Sequence, residues 1–144
     1  MTPQARAEKC AALMLAKDAA SRGLGMEITT IAPGAATLNM TVRDDMLNGH
    51  QICHGGYIFT LADSAFAFAC NTYNQLTVAQ QNQITYVAAA QLGETLTARA
   101  TQTSRTGRSG TYNITVTGRE GRTIALFQGL SRTIKGQHFQ EDGS

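Results

Sequence analysis

Runs in which apolar and polar residues alternate fill most of the second half of the chain and predict β-strands. They lie at about 78–88, 94–105, 110–118 and 122–134, and the glycine-containing segments 107–110 and 118–121 supply two of the turns between them. Two earlier alternating runs, at 24–28 and 38–42, flank Pro33-Gly34 and predict a β-hairpin. Clean alternation with polar outer positions is typical of an antiparallel sheet with one buried face. The pattern therefore predicts six antiparallel strands.

Two segments depart from this alternation and predict helices. Thr2-Pro3 has the composition of an N-cap and first turn, for a helix that runs to about Ala20 and closes at 21–23, so residues 1–22 are assigned to an N-terminal helix. The second helix begins at Gly55 and is apolar on nearly every side. Such a helix needs cover all round, so we expect a strongly curved sheet to wrap it and a second subunit to complete the cover. The predicted fold class is α+β.

Composition limits the classes of protein that remain. The chain has 144 residues, which predicts one domain spanning 1–144, and charged residues make up only 15% of it. That share is below the usual ~25%, which favours an oligomer whose subunits cover part of the surface. The net charge of +2 does not indicate a nucleic-acid partner. Residues 95–135 nevertheless hold seven basic side chains against one acid, which suits either a phosphorylated ligand or a solvated strand face.

The ends of the chain and its cysteines bear on location. The first residues have no apolar core of a signal peptide, and no stretch approaches the ~18 apolar residues of a membrane span. The odd number of cysteines, Cys10, Cys53 and Cys70, suits free thiols in a reducing compartment. We therefore expect a cytoplasmic protein with no membrane partner. The segment 135–144 is polar, and we expect it to be frayed.

The second helix carries the candidate chemistry. Asp63 is the only charged residue between Gly55 and Tyr73, and a carboxylate among apolar side chains suits a general base or a nucleophile. The structural alternative is an acid bonded to loop amides. Gly55 and Gly56 open the helix, where unpaired amides can polarise a carbonyl group; the alternative is a tight turn that merely fits glycine. Eight residues along one helix span about 12 Å, so Gly55 and Asp63 can serve one reaction only from two subunits.

The loop before this helix holds further polar candidates. The side-chain amide of Asn48 can donate to a water or a carbonyl and assist Asp63. His54 suits either a base or a hydrogen bond that fixes the loop, and the second is favoured. Cys53 beside His54 is a weak candidate for a thiol nucleophile, because adjacent residues rarely place sulfur and imidazole in bonding geometry. A metal site is disfavoured because His50, Cys53 and His54 lack a fourth ligand at a usual spacing.

The segment NGHQICHGGYIFTLADSAFAFACN at 48–71 resembles the signature of the hotdog-fold acyl-CoA thioesterases of the phenylacetate-degradation (PaaI) type, and the similarity extends loosely over about 24–134. The resemblance implies a hotdog fold and hydrolysis of aryl-acetyl-CoA, with Asp63 as base or nucleophile and the Gly55 amide on the carbonyl. It also implies that Asn48 assists and that CoA lies along 86–91 and the turn at 108–111. The predicted substrate-binding residues are His54, Ser64, Tyr86, Arg108, Ser109, Gly110 and Thr111.

This chemistry requires no metal or organic cofactor, because a thioester carbonyl is already electrophilic. Aromatic side chains at Phe59, Phe66 and Tyr73 are expected to form the walls for a flat acyl group. The minimal active unit is predicted to be a homodimer, assembled into a homotetramer. Two alternatives stay open: a hotdog acyl-CoA dehydratase or hydratase, and a non-catalytic acyl-CoA-binding protein.

Overall fold

The computed structural model describes residues 1–141 and contains one six-stranded antiparallel sheet with a long helix against it. The strands follow the order β1-β2-β4-β5-β6-β3, so β1 and β3 form the two open edges. This arrangement confirms the predicted α+β hotdog fold. The helices are α1 (Pro3–Lys17), α2 (Ala19–Gly23) and α3 (Gly55–Cys70). The strands are β1 (Glu27–Ala32), β2 (Ala35–Thr41), β3 (Thr77–Tyr86), β4 (Thr95–Thr106), β5 (Ser109–Thr117) and β6 (Thr123–Thr133).

The N-terminal helix is shorter than the sequence pattern predicted. The Thr2 hydroxyl accepts a hydrogen bond from the Ala5 amide at 3.0 Å, which confirms the N-cap. The helix then stops at Lys17, because the Asp18 carboxylate accepts bonds from both the amide and the hydroxyl of Ser21 and caps a separate short helix, α2. The expectation of one helix through Ala20 was therefore wrong.

The sheet wraps α3 but leaves one side of it open. The helix contacts all six strands, and its fully buried side chains form the centre of the core. Phe59, Asp63 and Ala67 are only half-buried, and their spacing of four residues places them along one side of the helix. Among residues 1–141, no helix is long and apolar enough to span a membrane.

The C-terminal segment is held in place as far as residue 141, contrary to the expectation of a frayed tail over 135–144. Asn74 accepts hydrogen bonds from the amides of His138 and Phe139 and donates one to the carbonyl of Phe139. Glu141 forms a paired hydrogen bond with the Arg6 guanidinium of α1. The tail therefore joins α1 to the loop after α3, and residues 142–144 lie outside the described part of the chain.

Candidate active site

The N-terminus of α3 is organised by His54. Its Nδ1 accepts the Gly56 amide at 2.9 Å, and its carbonyl oxygen accepts the Tyr57 amide at 3.0 Å. His54 is thus the N-cap of α3, so the structure gives it the loop-fixing hydrogen bond that the sequence favoured. The Gly55 amide has no acceptor within the described chain. One N–H at the positive end of the helix is therefore free to donate to a ligand.

Tyr86 closes over this end of the helix from β3. Its hydroxyl donates to the Gly55 carbonyl at 2.8 Å. A Cβ atom at position 55 would lie 3.0 Å from Cζ and Oη of the Tyr86 ring, so the ring explains why glycine stands there. A cavity of about 410 Å³ lies beside them and brings together Asn48, Gly55 and Tyr86. Three predicted site residues therefore share one pocket.

Asn48 shapes the loop and presents its amide to the same pocket. Its Oδ1 accepts the amides of His50 and Ile52 at 2.9 and 3.3 Å. The side-chain nitrogen has no acceptor within residues 1–141. Because the oxygen is used to fix the loop, the nitrogen is the atom left to donate to a ligand in the cavity.

Asp63 lies on the open side of α3, outside that cavity. Its Oδ1 accepts a hydrogen bond from the side-chain nitrogen of Asn82, on β3, at 2.9 Å. Burial raises the pKa of Asp63, and the Asn82 hydrogen bond partly offsets the rise; no charged side chain of the described residues contributes. Asn82 was not among the residues predicted from the sequence, because the segment 80–83 reads Gln-Gln-Asn-Gln and only the strand register shows which amide faces the helix.

Two hydrogen bonds between β3 and α3 allow the distance between the Gly55 amide and the Asp63 carboxylate to be estimated in two ways. Gly55 is bonded to Tyr86, and Asp63 is bonded to Asn82. The eight residues along α3 span about 12 Å, and the four residues along β3 span about 13 Å. Within one chain the free Gly55 amide and the Asp63 carboxylate are therefore far beyond the ~3 Å of a reacting pair.

The predicted CoA-binding turn lies at the other end of the sheet. Ser109 pairs with Arg132 on β6, whereas Tyr86 pairs with Ala125 on the same strand. Seven residues along a strand correspond to about 23 Å. Arg108, whose carbonyl accepts the Thr133 amide, belongs to that distant end, as do Gly110 and Thr111. One chain therefore does not bring the turn and Tyr86 together.

Other candidates have structural partners. The Ser64 hydroxyl lies 2.8 Å from the Ser21 hydroxyl of α2, so it packs against the N-terminal helices rather than joining the group around Asp63. Burial raises the pKa of Cys53 to about 11, and its thiol points to the His54 carbonyl at 3.6 Å, so a thiolate nucleophile does not form there at neutral pH. No group of three potential metal ligands occurs within residues 1–141.

The prediction that Phe59, Phe66 and Tyr73 line one aromatic pocket was wrong for Phe66 and Tyr73. Phe66 is 1% exposed and packs against Tyr112 and Phe127 in the core. The Tyr73 ring lies 3.8 Å from the Arg105 guanidinium and donates its hydroxyl to a glutamine of β4. Phe59 is half-buried one turn before Asp63 on the open side of α3, and its ring packs edge-on against Phe127.

Comparison with known proteins places this architecture in a family. The Thioesterase superfamily model matches residues 50–125. The chain is 42% identical over 123 residues to the acyl-coenzyme A thioesterase PaaI of Escherichia coli K12, covering 85% of this chain and 88% of that protein. The E. coli PaaI structure superposes with a TM-score of 0.93 at 39% identity, covering 94% of this chain and 99% of that one.

A hypothetical thioesterase of Streptococcus pneumoniae, solved with coenzyme A, superposes with a TM-score of 0.74 at 25% identity, over 78% of this chain and 87% of that one. The family model covers just over half of the chain, and the E. coli relative is aligned over most of both sequences. The chain belongs to the thioesterase superfamily, and it is a thioester hydrolase.

Proposed function

We propose that this protein hydrolyses acyl-CoA thioesters, with an aryl-acetyl group as the preferred acyl part, and that Asp63 carries out the chemistry. The observation that supports this most is the setting of Asp63. Its carboxylate is half-buried, lacks a charged partner among the described residues and is held by one amide on the open side of α3. A structural carboxylate would be satisfied by a cation or several donors, whereas a carboxylate with a raised pKa and a single donor is typical of an acid–base group.

The free Gly55 amide supplies the second element of the reaction. In this proposal it donates to the thioester oxygen, which becomes negative as the carbonyl carbon is attacked. Asp63 either removes a proton from water, whose oxygen then attacks, or attacks directly to form an anhydride that water opens. In both routes the C–S bond breaks and CoA leaves as a thiol.

We propose that each site is shared by two chains. The distance of about 12 Å along α3 prevents one chain from supplying both groups. Two surface features support a dimer: α3 has an uncovered side, and β3 is an open edge of ten residues without a charge or a proline. Antiparallel pairing of β3 with its copy would direct the Gly55 end of one chain toward Asp63 of the other. Assembly of such dimers into a tetramer stays a prediction.

Substrate contacts follow from the same arrangement. The cavity at Asn48, Gly55 and Tyr86 suits the thioester and the adjoining pantetheine arm. The basic turn that contains Arg108 lies about 23 Å from Tyr86 of its own chain, so we assign it to the phosphate end of CoA in the site completed by its partner. Phe59, beside Asp63, is the aromatic side chain best placed to contact a ring on the acyl group.

A substrate panel tests the proposed function. Thiol release is measured for phenylacetyl-CoA, a hydroxyphenylacetyl-CoA and straight-chain acyl-CoAs, with hydration of crotonyl-CoA followed in parallel. We expect thiol release with the highest kcat/KM on an aryl-acetyl-CoA and no hydration. Preference for octanoyl- or palmitoyl-CoA would contradict the acyl assignment. Hydration of crotonyl-CoA would favour the dehydratase alternative, and binding without turnover of any acyl-CoA would favour the binding protein.

A further inference from the structure

Asn82 occupies an unusual position for an amide side chain. It lies on β3 opposite Gly129, on the face that meets α3, while its neighbours Gln81 and Gln83 are exposed. Its side-chain nitrogen donates to Asp63, but its own Oδ1 is buried and has no hydrogen-bond partner within residues 1–141. No other buried side-chain nitrogen or oxygen of those residues is left unpaired.

An unpaired buried carbonyl oxygen costs stability, so stability alone does not explain an asparagine here. A leucine of similar volume would avoid that cost among the apolar side chains of the core, but it would leave Oδ1 of Asp63 without its donor. What the asparagine provides is one donor aimed at one oxygen of Asp63. The side-chain amide of Asn82 therefore donates to the Asp63 carboxylate, while its own oxygen stays unpaired.

We infer that Asn82 is the positioning residue for Asp63: it holds Oδ1 of the carboxylate and leaves Oδ2 as the oxygen that acts on the thioester reaction. This inference rests on the proposed function of Asp63. A carboxylate with one oxygen fixed has fewer orientations, and a fixed orientation contributes to the rate. The same bond favours the ionised carboxylate, which is the form that acts as base or nucleophile.

Few other groups influence the ionisation of Asp63. The Cys70 thiol, seven residues further along α3, is the group whose own pKa responds to Asp63; burial raises that pKa to about 12, so the thiol is neutral at neutral pH. Side chains of α1 and α2 make no contribution to the pKa of Asp63. Nor do the titratable side chains of the strands packed on α3, which are Glu27, Tyr86, Arg99, Arg105, Tyr112 and Arg132.

The test is the pH dependence of kcat/KM in a graded series at this position. Asn82→Leu removes the donor at similar volume, so the pKa of Asp63 rises and the acidic limb of the profile should move to higher pH by about one unit, the tenfold effect of a hydrogen bond to a charged group. Asn82→Asp keeps the shape but adds a carboxyl group that competes for the same proton, so it should move the limb further.

Asn113→Leu is the matched control, because Asn113 is exposed on β5 and lies outside the proposed site. We expect its profile to match that of the wild type, and we expect Asn82→Leu to stay folded while losing the most activity at low pH. The inference is overturned if the acidic limb stays in place in Asn82→Leu, whether activity is unchanged or lowered equally at every pH. Should Asn82→Leu fail to fold, Asn82→Ala, which also removes the donor without adding a charge, decides by whether the limb moves.

Including Asp63→Asn in the series distinguishes failure of this inference from failure of the proposed function. If Asp63→Asn is inactive and the acidic limb of the Asn82→Leu profile does not move, only the positioning role of Asn82 fails. If Asp63→Asn retains wild-type turnover, the proposed role of Asp63 fails and the inference fails with it.

Discussion

Mixing two inactive variants gives the most informative test of the shared site. Gly55 is the first residue of α3, and the preceding His54 has extended backbone angles (φ −61°, ψ 133°). Proline is tolerated at the first helical position and favours an extended residue before it, so Gly55→Pro removes the free amide without breaking the helix. Loss of one donor to a developing oxyanion costs about 10²–10³-fold in kcat.

The effect of losing the amide hydrogen in Gly55→Pro must be separated from the effect of the side-chain atoms that the substitution adds. Any Cβ at position 55 meets the Tyr86 ring at 3.0 Å, and Gly55→Ala introduces that contact while keeping the N–H group. The ratio of kcat between Gly55→Ala and Gly55→Pro therefore isolates the amide hydrogen. We expect this ratio to be at least about 100.

Restoration of activity in a mixture of the two variants then shows whether one site takes Gly55 and Asp63 from different chains. Gly55→Pro chains are mixed with Asp63→Asn chains, and exchange is followed by native mass spectrometry. In a mixed dimer one of the two sites combines an intact Gly55 with an intact Asp63. Random exchange places half of all dimers in this class, so activity should return to about a quarter of the wild-type value. Proven exchange without any return of activity would show that the site lies within one chain.

Three further predictions concern stability. Gly129→Ala should destabilise the fold by about 1–3 kcal/mol in urea denaturation, because the new Cβ would lie 2.6 Å from the Phe66 ring, whereas Gly23→Ala, with open space around it, should be neutral. Asn74→Ala should lower stability by about 1–3 kcal/mol and expose the C-terminal segment to protease, because it removes the hydrogen bonds that hold that segment. Burial raises the pKa of Asp63, so stability falls as pH rises from the ordinary aspartate pKa to the raised one. Asp63→Asn should therefore have a Tm at neutral pH no lower than that of the wild type, with any advantage lost below the ordinary pKa.

Most of the fold could be predicted from the sequence because the signals are local. The alternating runs located all four later strands to within about two residues, and Pro33-Gly34 marked the hairpin turn. The break after Lys17 was missed although Asp18 and Ser21 have the spacing of a capping pair. The docking of the tail could not be seen, because Asn74 and Arg6 lie 65 and 135 residues from their partners.

Some residues of the candidate site could likewise be predicted from local features, whereas others depend on tertiary packing. The charge of Asp63 in an apolar helix and the glycines at its start are local features, and helix geometry alone predicted their separation. Asn82 could not be recognised, because its role depends on which face of β3 meets α3. Phe66 was misassigned for the converse reason: an aromatic residue in a helix can face either a ligand or the core, and only the packing of the sheet decides.

The most direct test of the central claim is the turnover of Asp63→Asn on the best aryl-acetyl-CoA of the panel, at a pH above the acidic limb of the wild type. The substitution keeps the shape of the side chain and removes the carboxylate that acts as base or nucleophile. We predict that kcat falls by at least about 100-fold, the lower end of acid–base contributions, while the variant stays folded. A folded, purified Asp63→Asn protein with near-wild-type kcat would contradict the account.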